Sequence, residues 1–454
     1  MICLSFTLAY CESEDSDLDL IPHTLENLEA NKSSQDITSS ISGKTYVEDA
    51  VTGWLNRSDL QVPLPIQNLN LRNRISLDID YKWQIDKWVT LSLSDRLNDY
   101  VGNSISLFSN GSVGNDFREG FLTFEVFQGN YLEAGRINIK NGTALGYNPT
   151  DFFKTQSTVN IVSMDPSAMK DDRLGTVMIE GQRIWENGTV TVAFSPKLQK
   201  ESPLVTSSTA SWDALFGKTN YTNRFLSSLS FNIASLNPQA LIFFDDIGTH
   251  LGLSLSQIIS SSVVGYLEWA GVSEENLEGR AIASARNTGL LSSGTPPALQ
   301  SNSGQAFQHD IAVGASWTSD SKLTINLEYH YHQAGFNGSD FNRWVSLGKS
   351  NSTLAQEVWF IRQYASDQQE PLMQHEIFAR FDYPDVIQSK LNLGLVAFFS
   401  PYDGSVLVQE SGQYFLSRVL TFGGFLSESS GSKSSEYGTL PWALSLTLRV
   451  LWYL

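Results

Sequence analysis

Residues 441–454 read Pro-Trp-Ala-Leu-Ser-Leu-Thr-Leu-Arg-Val-Leu-Trp-Tyr-Leu and end the chain. From Leu444 to Leu454 every second residue is apolar, and mostly polar residues such as Ser445 and Thr447 stand between them. Successive side chains of a strand point to opposite faces, so the stretch predicts one apolar face and one mostly polar face. About ten residues also suffice for a tilted strand to cross a bilayer. Alone, the stretch fits a membrane-spanning strand and a half-buried terminal strand of a soluble sandwich equally well.

The composition favours a membrane barrel over membrane helices. Charged residues make up 17% of the 454 residues, below the roughly 25% of ordinary soluble domains. No apolar run approaches the length of a membrane helix, about 18 residues. A membrane protein of this kind must be a closed barrel, because only helices and closed barrels satisfy their backbone hydrogen bonds in lipid. The net charge of −18 disfavours a nucleic-acid partner, which requires a basic face.

The start of the chain predicts a targeting segment and a tail. Residues 1–11 resemble the end of a truncated signal peptide, although the basic segment is missing. The alternative is a short apolar start without a function. Residues 12–43 are acidic and polar, which predicts a solvated tail, and the barrel is then expected at 44–454. Cys3 and Cys11 are the only cysteines, so we expect neither a disulfide framework nor a cofactor in the body of the chain.

Alternation of apolar and polar residues, punctuated by Gly, Asn, Asp, Ser and Pro, divides the remaining chain into strands. Short turns alternate with long loops, which follow predicted strands three, five, seven, eleven, thirteen and seventeen. Bacterial outer-membrane barrels have an even number of strands, short periplasmic turns and long external loops. We therefore predict an all-β fold, a transmembrane antiparallel barrel of about 18 strands with 16 as the alternative. The predicted strands are 45–55, 68–82, 88–97, 117–127, 130–140, 174–185, 189–196, 223–235, 239–247, 250–258, 262–271, 305–318, 322–333, 356–364, 372–383, 388–399, one within 405–426 and the final one.

The alternation also predicts which side chains face lipid and which face the interior. A barrel of 16 to 18 strands leaves an aqueous interior unless a loop or the tail fills it. Charged rings in such an interior set selectivity, although opposite charges can instead pair across strands and make the wall rigid. The residues predicted to face lipid are Ile75, Leu77, Ile79, Leu122, Phe124, Val126, Val190, Val192, Phe194, Leu323, Ile325, Leu327, Leu391, Leu393 and Leu395. The residues predicted to line the pore are Arg72, Arg74, Asp78, Asp80, Lys82, Arg96, Arg136, Lys140, Glu328, His330, His332, Glu376, Arg380 and Asp382.

Two local patterns inside the barrel have more specific interpretations. His330 and His332 share a strand face with Glu328, the spacing of metal ligands, but they are also ordinary interior residues, and we expect no metal. The loop 141–173 contains turn formers followed by two phenylalanines that could fold it inward. We predict that this loop narrows the pore through Asn148, Asp151, Phe152, Phe153 and Lys154.

Two stretches resemble known outer-membrane proteins. The strand 132–140, Leu-Glu-Ala-Gly-Arg-Ile-Asn-Ile-Lys, and the Gly- and Asn-Pro-containing loop after it resemble export barrels of the alginate-export type, which have 18 strands. The export pore of that family is rich in arginine, whereas the predicted interior here is mixed. The last strand resembles the signal read by the outer-membrane assembly machinery at Thr447, Trp452 and Leu454, with Arg449 where glycine is usual.

These patterns predict a bacterial outer-membrane channel for passive passage of small hydrophilic solutes, in contact with lipid and the assembly machinery. One alternative is a dedicated channel for oligosaccharide export or uptake. A hydrolase at the barrel rim, using His250, His309 or His375, and a soluble secreted adhesive β-protein are the alternatives from other classes. The chain has no Gly-x-Ser-x-Gly, Gly-rich phosphate-loop or His-Glu-x-x-His motif, so we expect no enzyme.

Overall fold

The chain forms a single antiparallel sheet of 18 strands that closes on itself. The structure, a computed structural model, describes residues 40–57, 71–101, 113–159, 163–202, 213–291, 304–350, 352–387 and 389–454. The strands are β1 Ser40–Asn56, β2 Leu71–Asp86, β3 Val89–Val101, β4 Val113–Phe127, β5 Asn130–Ile137, β6 Thr176–Trp185, β7 Gly188–Ser195, β8 Arg224–Phe231, β9 Leu236–Phe244, β10 Thr249–Ser260, β11 Val263–Glu274, β12 Ala306–Thr318, β13 Thr324–His332, β14 His375–Tyr383, β15 Leu391–Phe399, β16 Val406–Phe415, β17 Leu420–Ser430 and β18 Trp442–Tyr453. The predicted barrel and its strand number are confirmed.

The barrel closes between its first and last strands. β1 pairs with β2 along one edge and with β18 along the other, with Val51 opposite both Asn73 and Leu448. Closure removes the unpaired sheet edges that an open sheet would expose. β1 begins at Ser40, so the predicted boundary between the tail and the barrel at 43/44 falls inside this strand. The predicted signal segment 1–11 lies outside the described residues.

The connections divide by length between the two ends of the barrel. Every even-numbered strand before β18 is followed by a short turn, such as 87–88 or 186–187. The longer connections after β5, β7 and β11 begin and end at the opposite end. We call these ends the short-turn end and the long-loop end. Two connections at the long-loop end are short, namely 245–248 between β9 and β10 and 400–405 between β15 and β16.

Two predicted strands are wrong, and the errors cancel in the strand count. The segment 356–364 lies in a helix, Ser352–Gln368. Its residues Phe360, Ile361, Tyr364 and Ala365 are buried with helical spacing, so the apolar run that resembles a strand is one face of a helix. The stretch 405–426 instead contains β16 and most of β17, joined by a tight turn at 416–419.

The outer face of the barrel is apolar and the inner face is polar. Ile179, Leu327 and Leu448 are 57%, 59% and 60% exposed on the outside. Their sequence neighbours Glu180 and Glu328 are buried. A soluble protein shows the reverse arrangement, and an exposed apolar surface of this extent marks contact with another apolar phase. Several residues predicted to face lipid are well exposed, namely Ile75, Val126, Val192, Phe194, Leu327 and Leu393.

Within the described residues, five α-helices lie in the connections between strands. They are α1 Pro166–Asp172, α2 Phe216–Thr219, α3 Leu277–Asn287, α4 Gly338–Ser350 and α5 Ser352–Gln368. Helices α3, α4 and α5 pack around a shared apolar cluster, formed by Leu277, Ala281, Ile282, Ala285, Phe336, Phe341, Trp344, Val345, Trp359, Phe360, Ile361, Tyr364, Ala365, Leu372 and Met373. None of the helices in the described ranges is long and apolar enough to cross a membrane. We call this three-helix unit the helical cap.

Trp344→Ala is expected to loosen the helical cap while leaving the barrel intact. Trp344 is fully buried, and its ring lies 5.5 Å from that of Phe341. Removing a buried tryptophan costs about 3–5 kcal/mol, here against local opening of the cap. Limited proteolysis should therefore cut within 338–368 faster, with unchanged gel migration of the unboiled barrel. Ser346→Ala, at an exposed position of α4, is the control, and equal cleavage of both variants would contradict this account.

Candidate functional site

The connection between β5 and β6 folds into the barrel. This segment, described at 138–159 and 163–175, is called the inner loop. Phe152 and Phe153 at its tip are buried, and their rings lie 5.1 and 5.4 Å from that of Phe243 on β9. Both rings belong to an apolar cluster with inward residues of β6 to β9 that include Met178 and Leu226. Burial of these two aromatic rings places the tip against one wall.

Two buried glutamates of the barrel wall hold the first part of the inner loop. Glu268 on β11 accepts hydrogen bonds from the amides of Thr143 and Ala144 and, at 2.8 Å, from the hydroxyl of Thr150. Glu328 on β13 accepts the amides of Leu145 and Gly146 at 2.7 and 2.9 Å. Hydrogen bonds to a charged acceptor are stronger than neutral ones. The loop is therefore fixed to this wall through its backbone.

Gly142 permits the sharp entry of the loop. Its φ is +77°, a conformation that side-chain-bearing residues rarely adopt. A Cβ at this position would lie 2.4 Å from both the amide oxygen of Asn148 and the hydroxyl of Thr150, and 2.5 Å from Oε1 of Glu268. Only glycine fits between these groups without moving them.

The second part of the inner loop contacts other strands. Asp172, at the end of α1, accepts hydrogen bonds from Arg96 on β3 at 3.2 Å and Arg118 on β4 at 2.8 Å. Burial alone would raise the pKa of Asp172, but the two guanidinium groups outweigh it and lower the pKa. Asp165 pairs with Arg380 on β14 at 3.1 Å. Since the loop touches β3, β4, β11, β13 and β14, it crosses the interior of the barrel.

The loop tip is also stabilised internally. Asp151 forms a buried ion pair with Arg173 at 2.7 Å. The Lys154 ammonium donates to the carbonyl of Asn148 at 2.7 Å and lies 4.1 Å from the centre of the Tyr147 ring. Burial lowers the pKa of Lys154, and nearby carboxylates such as Glu370 only partly offset this effect. All five residues predicted to narrow the pore are buried here, Asn148, Asp151, Phe152, Phe153 and Lys154; their role as a constriction stays a prediction.

Many of the charges predicted to line the pore are paired inside the barrel. Arg74 pairs with Glu48 on β1, and Arg96 pairs with Asp78 at 2.6 Å. Arg72 instead lies 5.4 Å from the ring centres of both Trp54 and Tyr100. The ion pairs of Arg74 and Arg96 correspond to the alternative in which opposite charges pair across strands and make the wall rigid. Asp80 is half-buried, Lys82 is exposed towards the short-turn end, and Asp382 lies opposite Thr324 and Gly394.

Arg136 lies away from the other predicted pore residues. Its register partners are Gly120 on β4 and Val177 on β6. Alternation along β5 places it on the same face as Leu132, which is exposed on the outside. Its guanidinium donates to the carbonyls of Gly175 and Ala214 and to the hydroxyl of Thr219, at 2.9, 2.7 and 3.2 Å. Arg136 therefore anchors the connection between β7 and β8.

His330 lies between two carboxylates. Its ring nitrogens are 2.7 Å from Glu328 and 3.1 Å from Glu376, and Glu376 also accepts the Tyr437 hydroxyl at 2.9 Å. His332 lies 2.7 Å from Asp310. These contacts join the wall to the inner loop and to the connection 431–441. Across the described ranges, no group of three or more His, Cys, Asp or Glu side chains is arranged to hold a metal ion.

A chamber of about 230 Å³ remains between the inner loop and the strands β4 to β10. Asn141, Gly142 and Thr143 of the inner loop form one side, and Trp185 and Phe231, at the turns, lie towards the short-turn end. The remaining lining is mostly polar, including Lys140, Glu119, Glu133, Glu180, Gln182, Thr189, Thr191, Ser228, Ser230, Asn237 and Gln239. Only Lys140 among these was predicted as a pore residue. The alternation of apolar and polar residues along β4 to β6 was the sequence signal that could have identified Glu119, Glu133 and Glu180 as interior residues.

The C-terminal residues predicted as an assembly signal lie on β18 and just beyond it. Thr447 faces inward and bonds to the hydroxyl of Thr52 at 2.9 Å. Trp452 and Leu454 are 60% and 69% exposed on the outside. Recognition of these residues by the assembly machinery stays a prediction.

Comparison with solved structures finds bacterial porins. The structure of OccK8 (OprE) from Pseudomonas aeruginosa aligns with a TM-score of 0.52 and 13% identity, covering 91% of this chain and 98% of that one. A triple mutant of Rhodopseudomonas blastica porin aligns with a TM-score of 0.40 and 9% identity, covering 91% of this chain and 100% of the porin. At such identities the similarity to OccK8 shows the fold alone, a closed antiparallel β-barrel. No protein-family profile and no curated protein sequence matches the chain.

Proposed function

We propose that this chain is a bacterial outer-membrane channel through which small hydrophilic solutes diffuse passively. The observation that carries the proposal is a closed barrel with exposed apolar residues outside, polar residues inside and a polar chamber beside the inner loop. Barrels of 16 to 18 strands are wide enough to enclose a water-filled passage. An apolar exterior and a polar interior are the arrangement of transmembrane barrels.

The inner loop would select solutes by size. It occupies part of the interior and is fixed at several points of the wall, by Glu268, Glu328 and the Arg96–Arg118 pair. A fixed loop gives a defined cross-section, and the chamber beside it is large enough for a solute of a few heavy atoms and its water. Solutes would move down their gradient, so the proposed function requires no catalytic step.

The partners of the proposed channel are lipid outside and hydrophilic solutes inside. Assembly would depend on β18, whose outward residues end the chain. The resemblance to alginate-export barrels implies the export of alginate, a polyanionic polysaccharide. The chamber lining contains more acidic than basic side chains, among them Glu119, Glu133 and Glu180, and such a lining disfavours a polyanion.

Uptake by proteoliposomes tests the proposed function. The refolded protein should make liposomes swell in small neutral solutes such as glycerol and arabinose. It should admit raffinose much more slowly, because the inner loop limits the cross-section. Folding is checked separately by faster gel migration before boiling. Folded, inserted protein that admits none of these solutes would contradict the proposal.

A further inference from the structure

Two glutamates of the chamber face each other across neighbouring strands. Glu133 on β5 and Glu180 on β6 are direct register partners. Glu133 accepts the hydroxyl of Thr123 at 2.8 Å. Glu180 is only 7% exposed and lines the chamber. Within the described part of the chain, no cation or hydrogen-bond donor contacts its carboxylate.

This arrangement is unfavourable while both carboxyl groups are ionised and no positive charge lies beside them. Like charges directly opposite each other in a sheet repel, and a buried carboxylate without a partner has lost its hydration without compensation. Elsewhere in the barrel, buried carboxylates such as Asp78 and Glu48 do have guanidinium partners. The Glu133–Glu180 pair therefore differs from the structural ion pairs of the wall.

The two lysines of the chamber lining are placed by contacts with the inner loop. Lys140 is held by an ion pair with Asp171 of the inner loop. Lys170 lines the chamber from the inner loop, on the side of Asn138, whose side chain donates to the Lys170 carbonyl at 2.9 Å. The charged lining consists of these two lysines and four glutamates, Glu119, Glu133, Glu180 and Glu186. The chamber lining therefore contains more acidic than basic side chains.

The surroundings favour an organic cation over a bare metal ion. The described chain has no group of three or more metal-ligating side chains, and a chamber of about 230 Å³ is much larger than a metal ion. The aromatic residues Phe121, Trp185 and Phe231 are also among its lining residues. Such rings accommodate alkyl chains and attract cations at their faces. Two adjacent carboxylates match the several donors of a guanidinium or ammonium group.

We propose that the chamber is a binding site for small organic cations, in which the Glu133–Glu180 pair holds an amine or guanidinium group and the aromatic rings contact its alkyl part. This inference rests on the proposed channel function and names its preferred solute class. A solute held here would occupy the interior beside the inner loop, so the same site would favour cations over anions during passage.

Calorimetric titration of the folded protein in detergent tests binding directly. Butylguanidinium should bind the wild-type protein, whereas butylurea, which has a similar shape and no charge, should not. Glu180→Gln should weaken the binding of butylguanidinium about tenfold, which corresponds to about 1.4 kcal/mol. Glu125→Gln makes the same chemical change on β4 outside the chamber lining and should leave binding unchanged.

Equal affinity of the wild-type and Glu180→Gln proteins, or equal binding of butylurea, would overturn the inference. Glu133→Gln provides a second variant in case Glu180→Gln does not fold. Recording in planar bilayers separates this result from the channel function. Binding without conductance would support the proposed binding site and contradict the proposed channel function. Conductance without binding or block by butylguanidinium would keep the channel and contradict the site.

Discussion

Replacing residues 143–154 with an equal length of Gly and Ser is expected to raise single-channel conductance several-fold. The replacement removes Phe152 and Phe153, which pack on Phe243. It also removes Thr150, whose hydroxyl donates a hydrogen bond to Glu268. Without these anchors the segment 143–154 would detach from the wall and widen the passage, although Asp165 and Asp172 would still hold the second part of the inner loop.

Glu268→Ala is the milder companion of this replacement. It removes one carboxylate that accepts hydrogen bonds from Thr143, Ala144 and Thr150 but leaves Glu328 and the aromatic contacts in place. We expect frequent transitions between the wild-type conductance and a larger one. Unchanged conductance in both variants, with the folded form verified on unboiled gels, would show that the inner loop does not limit the passage.

Asp78→Ala is expected to lower the free energy of unfolding by about 3–5 kcal/mol. Asp78 is 1% exposed and accepts hydrogen bonds from Arg96 at 2.6 Å and Arg118 at 2.8 Å. Removing it leaves two buried guanidinium groups with Asp172 as their shared carboxylate. The cost is large because desolvated charges lose their partner, whereas the intact pair contributes much less to stability.

Urea titration of the protein in lipid vesicles measures this change. Lys322→Gln is the control, because it removes the exposed ion pair with Asp385, and exposed pairs contribute less than about 1 kcal/mol. If Asp78→Ala lowered the free energy of unfolding by as little as the control does, the buried charges would have to be hydrated. The interior near β2 to β4 would then be part of the water path.

The barrel could be predicted because its signal is local and repeated. Alternation along each strand and the sorting of short turns from long loops require no knowledge of distant contacts. The prediction failed where local patterns are ambiguous. The run Trp359–Ile361 is apolar in either a strand or a helix, and its burial in one cluster with Leu277 and Trp344 decided for the helix.

The candidate site was only partly predictable for a related reason. Phe152 and Phe153 could be singled out, since two aromatic residues after a turn in a long polar loop favour burial. The roles of Glu268 and Glu328 could not, because their partners lie in a loop more than a hundred residues earlier in the chain. The pairing of Glu133 with Glu180 depends on the register between β5 and β6, which the long inner loop hides.

Single-channel recording of the intact, refolded protein in a planar bilayer tests the central claim most directly. We predict steady openings whose conductance is well below that of the variant with residues 143–154 replaced, and a reversal potential that reports preference for cations. A correctly folded and inserted protein that carries no current would contradict the claim that this barrel is a channel.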